Sequence, residues 1–117
     1  ASPNNPTGTY LAREKIVKLM QIISKNIIVV IDGAYVEYVE KADYDKGFSL
    51  SEEFENLILT RTFSKTYGLA ALRIGWCYTS NKVANIIGNT IVDQILVFVF
   101  IPGSNHLPVL ASLFSLS

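Results

Sequence analysis

Lys65 stands in the stretch Ser64-Lys65-Thr66-Tyr67-Gly68-Leu69-Ala70-Ala71-Leu72-Arg73-Ile74-Gly75, the most chemically suggestive part of the chain. A lysine amine condenses with an aldehyde to form a Schiff base, and hydroxyls together with an arginine eight positions on bind a phosphate at the other end of the same molecule. A Ser-Lys dipeptide by itself is ordinarily a solvated surface lysine, and Arg73 by itself could pair with a surface acid such as Glu53 or Glu55. Two further clusters weigh against that reading: Asn4-Asn5-Pro6-Thr7-Gly8 near the start, and Val29-Val30-Ile31-Asp32-Gly33-Ala34-Tyr35 in the middle.

The elements that must position these residues follow from periodicity. Pro3, Pro6 and Gly8 set a turn, and Thr9 is placed to cap a helix beginning at Tyr10. Ala12, Ile16, Leu19 and Ile23 recur at helical spacing and predict one amphipathic helix buried by a single face. Ile27–Ile31 is a β-branched run without polar alternation, the pattern of a strand buried on both faces in a parallel sheet. Asp32 falls at its carboxyl end, where open α/β sheets bind ligands. Glu37–Ser51 is polar and reads as an exposed connection. Leu57–Thr60 and Ile74–Thr79 read as two more strands, and Lys82–Ile95 as a helix with Val83, Ile86, Ile87 and Ile91 on one face, weakened by Gly88. Trp76, Tyr78 and Phe63 are expected in the core. The fold class is α/β, a mostly parallel sheet with flanking helices.

Half of the 117 residues are hydrophobic, and ten basic residues balance ten acidic ones. With no basic cluster there is no electrostatic footprint for nucleic acid or an acidic membrane, so neither partner is expected. The longest apolar run, Ile95–Ile101, is too short to span a bilayer as a helix. One cysteine, Cys77, allows no internal disulfide, and a cytoplasmic setting is the simplest expectation. No metal-ligand spacing, P-loop, dinucleotide loop or nucleophile elbow occurs, and His106 is given no role. After Asp93 the chain has no further Lys, Arg, Asp or Glu, which marks residues 94–117 as an unassigned, divergent apolar tail.

Taken in order and at these separations, the Asn4–Gly8, Val29–Tyr35 and Thr62–Gly75 segments resemble the fold-type I aminotransferases that use pyridoxal phosphate, most closely those acting on histidinol phosphate. The resemblance covers about residues 1–80 and implies part of a large cofactor-binding domain, with residues 81–117 forming a helix and the tail. It also implies an internal piece of a longer protein that is inactive alone and homodimeric at full length. Its partners would be a small-molecule amino donor and a 2-oxo acid: L-histidinol phosphate and 2-oxoglutarate. The cofactor makes three demands: a carboxylate beside its ring nitrogen, an amine for its aldehyde, and donors for its phosphate. The resemblance assigns Asp32 to the ring nitrogen, Tyr35 and Asn5 to the phenolic oxygen, Lys65 to the aldehyde and to proton transfer, and Arg73, Thr62 and Ser64 to the phosphate. For Asp32 the competing reading is a strand-end cap of the next helix. This family commonly has Glu after the aspartate; Gly33 here removes a side chain that supports the loop. Gly68 and Gly75 are expected to serve tight turns or close backbone approach. Other readings are an aromatic- or aspartate-type aminotransferase, a threonine-phosphate decarboxylase relative, a regulator's aminotransferase-like domain, or a catalytically dead remnant.

Overall fold

In the computed structural model the backbone is described for residues 1–90, 96–100 and 109–111, and side chains for residues 1–87. Helices α1 (Arg13–Ile22), α2 (Phe48–Glu53) and α3 (Asn81–Thr90) accompany strands β1 (Val29–Asp32), β2 (Leu57–Thr62), β3 (Ile74–Tyr78), β4 (Leu96–Phe100) and β5 (Val109–Ala111). The strands form one sheet in the order β1-β2-β3-β4-β5. The α/β class with flanking helices holds. The sheet is mixed: β1 with β2 and β3 with β4 run parallel, whereas β2 with β3 and β4 with β5 run antiparallel. Each parallel pair is bridged by a crossover that carries a helix, α2 in the first and α3 in the second, as parallel neighbours require. The apolar tail contributes its backbone to the sheet as β4 and β5; Ile91, Ile95, Ile101 and His106 lie outside the described residues.

Alternation along β2 divides the sheet into two faces. Leu57, Leu59 and Arg61 are buried on one, while Ile58, Thr60 and Thr62 are half-buried on the other. On the first face Leu57, Leu59 and Tyr78 pack with Ile16 and Met20 of α1 and Leu50 of α2, and Val29, Ile31, Phe54 and Trp76 fill in around them. On the second, Ile58 and Cys77 pack with Ala84 and Ile87 of α3.

Four expectations are corrected. The first helix starts at Arg13, because the Thr9 hydroxyl is paired with that of Thr7 at 2.8 Å, the Tyr10 hydroxyl donates to Asp43 Oδ1 at 2.8 Å and Leu11 N donates to Ser2 Oγ at 3.0 Å, so those residues are committed elsewhere. Its buried line is Ile16–Met20, and Leu19 is 40 % exposed. Strand β1 is buried on the α1–α2 face only: Val30 is 54 % exposed, because β1 is the sheet's edge strand and, among the described residues, the cluster that α3 forms with the sheet includes Ile58 and Cys77 and no residue of β1. The Glu37–Ser51 connection is not simply exposed. It contains a 3-10 turn at Val36–Tyr38 and helix α2, whose Leu50 is fully buried. Polar composition hid α2 because its entry is built from hydrogen bonds: Gly47 turns with φ 95°, its N–H donates to Asp45 Oδ1 at 2.6 Å, and Asp45 Oδ2 accepts from Ser49 Oγ and Arg13 Nη1, each at 3.0 Å. The last helix is helical from Asn81 to Thr90, and its expected continuation to Ile95 lies outside the described residues.

Arg61 joins these layers. Its side chain is buried with the apolar residues of β2, its guanidinium 5.8 Å from the ring centres of both Phe48 and Trp76. Nη1 donates to the Thr60 carbonyl at 2.8 Å and Nη2 to the Lys46 carbonyl, so one side chain ties β2 to the entry of α2. The guanidinium occupies the space that a side chain at position 33 would need: a Cβ there would lie 2.8 Å from Arg61 Cζ and 2.7 Å from Val36 Cγ1. Gly33 is therefore the steric complement of Arg61. Gly33→Ala should destabilise the chain by about 1–3 kcal/mol through overpacking, measured by denaturant unfolding; unchanged stability would show that the guanidinium is free to move aside.

Candidate functional site

Asp32 is the last residue of β1, paired in register with Thr60 of β2, and both side chains lie on the face that carries α3. The Thr60 hydroxyl donates to Asp32 Oδ1 at 3.1 Å. The Asp32 carboxylate does not cap the following 3-10 turn, which has no side-chain cap. Its carbonyl accepts from Ser2 N at 2.9 Å, and this bond draws the opening segment across the end of the strand. That segment is folded by Gly8 N donating to the Asn4 carbonyl at 2.8 Å, Asn4 N to the Thr9 carbonyl at 2.7 Å and Asn4 Nδ2 to Thr7 Oγ1 at 2.8 Å, with Gly8 at φ 68°. The turn presents Asn5, whose Nδ2 donates to the Tyr35 hydroxyl oxygen at 3.2 Å. Pro3, Pro6, Tyr35, Tyr38 and Val39 surround a concavity of about 360 Å³ beside this pair.

Lys65 and Arg73 lie at opposite ends of the excursion between β2 and β3. The turn leaving β2 is closed by Ser64 N donating to Thr62 Oγ1 at 3.0 Å, and Gly68, at φ 67°, sends its N–H to the Lys65 carbonyl at 3.0 Å. This brings Lys65 Nζ to 5.5 Å from the centre of the Tyr35 ring, a cation–π contact across thirty residues of sequence. At the far end Arg73 adopts left-handed backbone, φ 52°, and its Nη1 donates to the Ala70 carbonyl at 3.1 Å. It pairs with neither Glu53 nor Glu55: Glu53 is engaged by Arg13, and among the described residues Arg73 has no carboxylate partner. Gly75 is required by close approach, since a Cβ there would stand 2.8 Å from the Arg61 carbonyl oxygen.

The structure thus brings Asn5, Tyr35 and Lys65 into one contact chain, Thr62 and Ser64 into one turn, and Asp32 to the neighbouring strand end. Arg73 touches neither Thr62 nor Ser64 among the described residues. Two residues escaped sequence reading. Arg61 follows Leu57 and Leu59 at strand spacing, a signal for a buried arginine; burial pulls its guanidinium below the usual arginine range, while Tyr44, Glu37 and Asp32 pull the other way. Thr60 alternates with Thr62 on the site's face, and only the register with β1 shows that its hydroxyl meets Asp32. Among the described residues no three His, Cys, Asp or Glu side chains gather to hold a metal ion, and no helix is long and apolar enough to cross a membrane.

Comparison with known proteins places the chain as a whole in a family. The family described as aminotransferase class I and II matches residues 1–111, further along than the motifs are legible. Histidinol-phosphate aminotransferase of Pelagibacter ubique (strain HTCC1062) is 48% identical over 83 residues, covering 71% of this chain and 23% of that protein. The enzyme of the same name from Rhodopseudomonas palustris (strain BisB18) is 50% identical over 78 residues, covering 67% and 21% respectively. That of Maricaulis maris (strain MCS10) is 42% identical over 87 residues, covering 74% and 24%. The chain spans about a quarter of the length of these curated relatives. With the match extending over residues 1–111, the chain belongs to the class I and II aminotransferases.

Proposed function

We propose that this chain forms the core of a pyridoxal phosphate site in a transaminase that moves the amino group of L-histidinol phosphate to 2-oxoglutarate. The observation that carries the reading is the junction of Asn5, Tyr35 and Lys65 beside the strand end that bears Asp32. The likeness to histidinol-phosphate aminotransferases supports the substrate pair, and the family supports a homodimer at full length.

The donor set fits the cofactor. It comprises a carboxylate at a strand end, an amine, an amide–phenol pair, two hydroxyls in one turn and a guanidinium without an acid partner. There is also room: the concavity of about 360 Å³ lies beside the Asn5–Tyr35 pair. The chemistry supplied by bound pyridoxal phosphate is withdrawal of electrons from the substrate's α-carbon. Asp32 would hold the ring nitrogen in its charged form by direct charge interaction. Asn5 Nδ2 and the Tyr35 hydroxyl would donate to the phenolic oxygen, while Thr62, Ser64 and Arg73 would bind the phosphate with charge-assisted hydrogen bonds. Lys65 Nζ would hold the aldehyde end of the cofactor and would serve as the general base for the substrate's α-proton.

Three outcomes are expected. Borohydride reduction of the chain with pyridoxal phosphate, followed by peptide mapping, should place the label on Lys65; a label on Lys25 or Lys82 with none on Lys65 would refute the assignment. In a full-length protein carrying this segment, Asp32→Asn should lower turnover by roughly 10²–10³-fold, the scale of one preorganised charge-stabilising group, while cofactor binding persists. Unchanged turnover would make Asp32 structural only. The 117-residue chain supplied with cofactor, L-histidinol phosphate and 2-oxoglutarate should bind the cofactor without sustained amino transfer, and continuing glutamate production would overturn the view that further parts of the protein are needed.

A further inference from the structure

We infer that Thr60 is a positioning residue for Asp32, an inference that rests on the cofactor reading above for its functional meaning but not for its geometry. The Thr60 hydroxyl donates to Asp32 Oδ1 at 3.1 Å, and Oδ2 accepts no hydrogen bond from the described residues. One carboxylate oxygen is therefore held and the other is left to receive a donor from a ligand at the strand end.

Both partners of this bond are fixed by their surroundings. Thr60 and Asp32 are in-register neighbours of the parallel β1–β2 pair. The Thr60 carbonyl accepts from Gly33 N at 3.0 Å and from Arg61 Nη1 at 2.8 Å, so two donors hold the one carbonyl oxygen. The Asp32 carbonyl is anchored by Ser2 N at 2.9 Å. A β-branched side chain has few χ1 choices, so Thr60 delivers its hydroxyl at small entropic cost. Packing alone does not require that hydroxyl. The adjacent position on the same face, Ile58, is apolar and packs with Cys77, Ala84 and Ile87. The oxygen at position 60 has its use at the carboxylate.

Thr60→Val removes the hydroxyl at nearly constant shape, and Thr60→Ser retains it. In the full chain, without cofactor, the couplings between the Asp32 α- and β-protons report its χ1 rotamer, and an absorbance titration reads its affinity for pyridoxal phosphate. We expect one Asp32 rotamer in the unaltered chain and in Thr60→Ser. In Thr60→Val we expect rotamer averaging and about fivefold weaker cofactor binding, the scale of one net hydrogen bond. An Asp32 rotamer unchanged by Thr60→Val would overturn the inference whatever the cofactor does, as would averaging in Thr60→Ser equal to that in Thr60→Val. Averaging in Thr60→Val alone, in a chain that binds no pyridoxal phosphate at all, would uphold the hold on Asp32 and overturn the cofactor reading instead. If Thr60→Val loses the amide spectrum of the folded chain, Thr60→Ala removes the same hydroxyl without bulk and is read by the same couplings.

Discussion

A buried guanidinium that forms no ion pair with a carboxylate among the described residues is the constraint around which the rest is arranged. Arg61 lies on the apolar face of β2, and desolvating its charge is costly unless other groups compensate. Two backbone carbonyls and a stacked pair of aromatic rings provide that compensation: Thr60 and Lys46 accept its protons, and the rings of Phe48 and Trp76, stacked on each other, each have their centre 5.8 Å from it. Each partner belongs to a different piece of the chain. Lys46 precedes α2, Phe48 begins it, Thr60 is in β2 and Trp76 in β3. The absence of a side chain at Gly33 completes the arrangement, because the turn carrying Tyr35 can then pass close beside the same guanidinium.

This division gives the sheet two unequal sides. The α1–α2 side holds the larger core and the arginine, and supplies rigidity. Among the described residues the α3 side has its packed cluster at Ile58 and Cys77, and Asp32, Thr60 and Thr62 project on the same face. The candidate groups thus lie beyond that cluster, at the carboxyl end of a parallel strand pair. The same backbone that packs Leu57, Leu59 and Arg61 into the core must turn Thr60 and Thr62 outward.

The candidate groups were nameable from the sequence because residue type and order single them out: Asn5, Asp32, Tyr35, Lys65 and Arg73 each stand in a short, distinctive string, and the structure brings Asn5, Tyr35 and Lys65 into contact. Strands β1, β2 and β3 were legible to within one or two residues because short apolar runs bounded by turn signals mark them, whereas β4 and β5 lie in the stretch read as an unassigned tail. What could not be read depended on long-range pairing. The single-sided burial of β1 follows from its place at the sheet edge, which periodicity does not encode. Helix α2 is only six residues long and is docked by Leu50, by the Phe48 ring against Trp76 and Tyr78 and by a chain of polar contacts, so composition pointed to a loop. The Thr60–Asp32 contact depends on register between strands separated by twenty-eight positions.

The antiparallel return of β3 beside β2 has a further bearing on the excursion that carries the amine and the guanidinium. Its two ends are stitched together, Phe63 N donating to the Ile74 carbonyl at 3.2 Å and Leu69 N to the Phe63 carbonyl at 2.9 Å. The separation of Lys65 and Arg73 is consequently a property of this local closure and not of how the remaining layers pack. Exchange of the Thr66 or Leu72 side chain, neither of which makes these closing bonds, leaves the closure in place. The Lys65 and Arg73 backbones can in this way keep their spacing while the surface between them is free to diversify toward different neighbours.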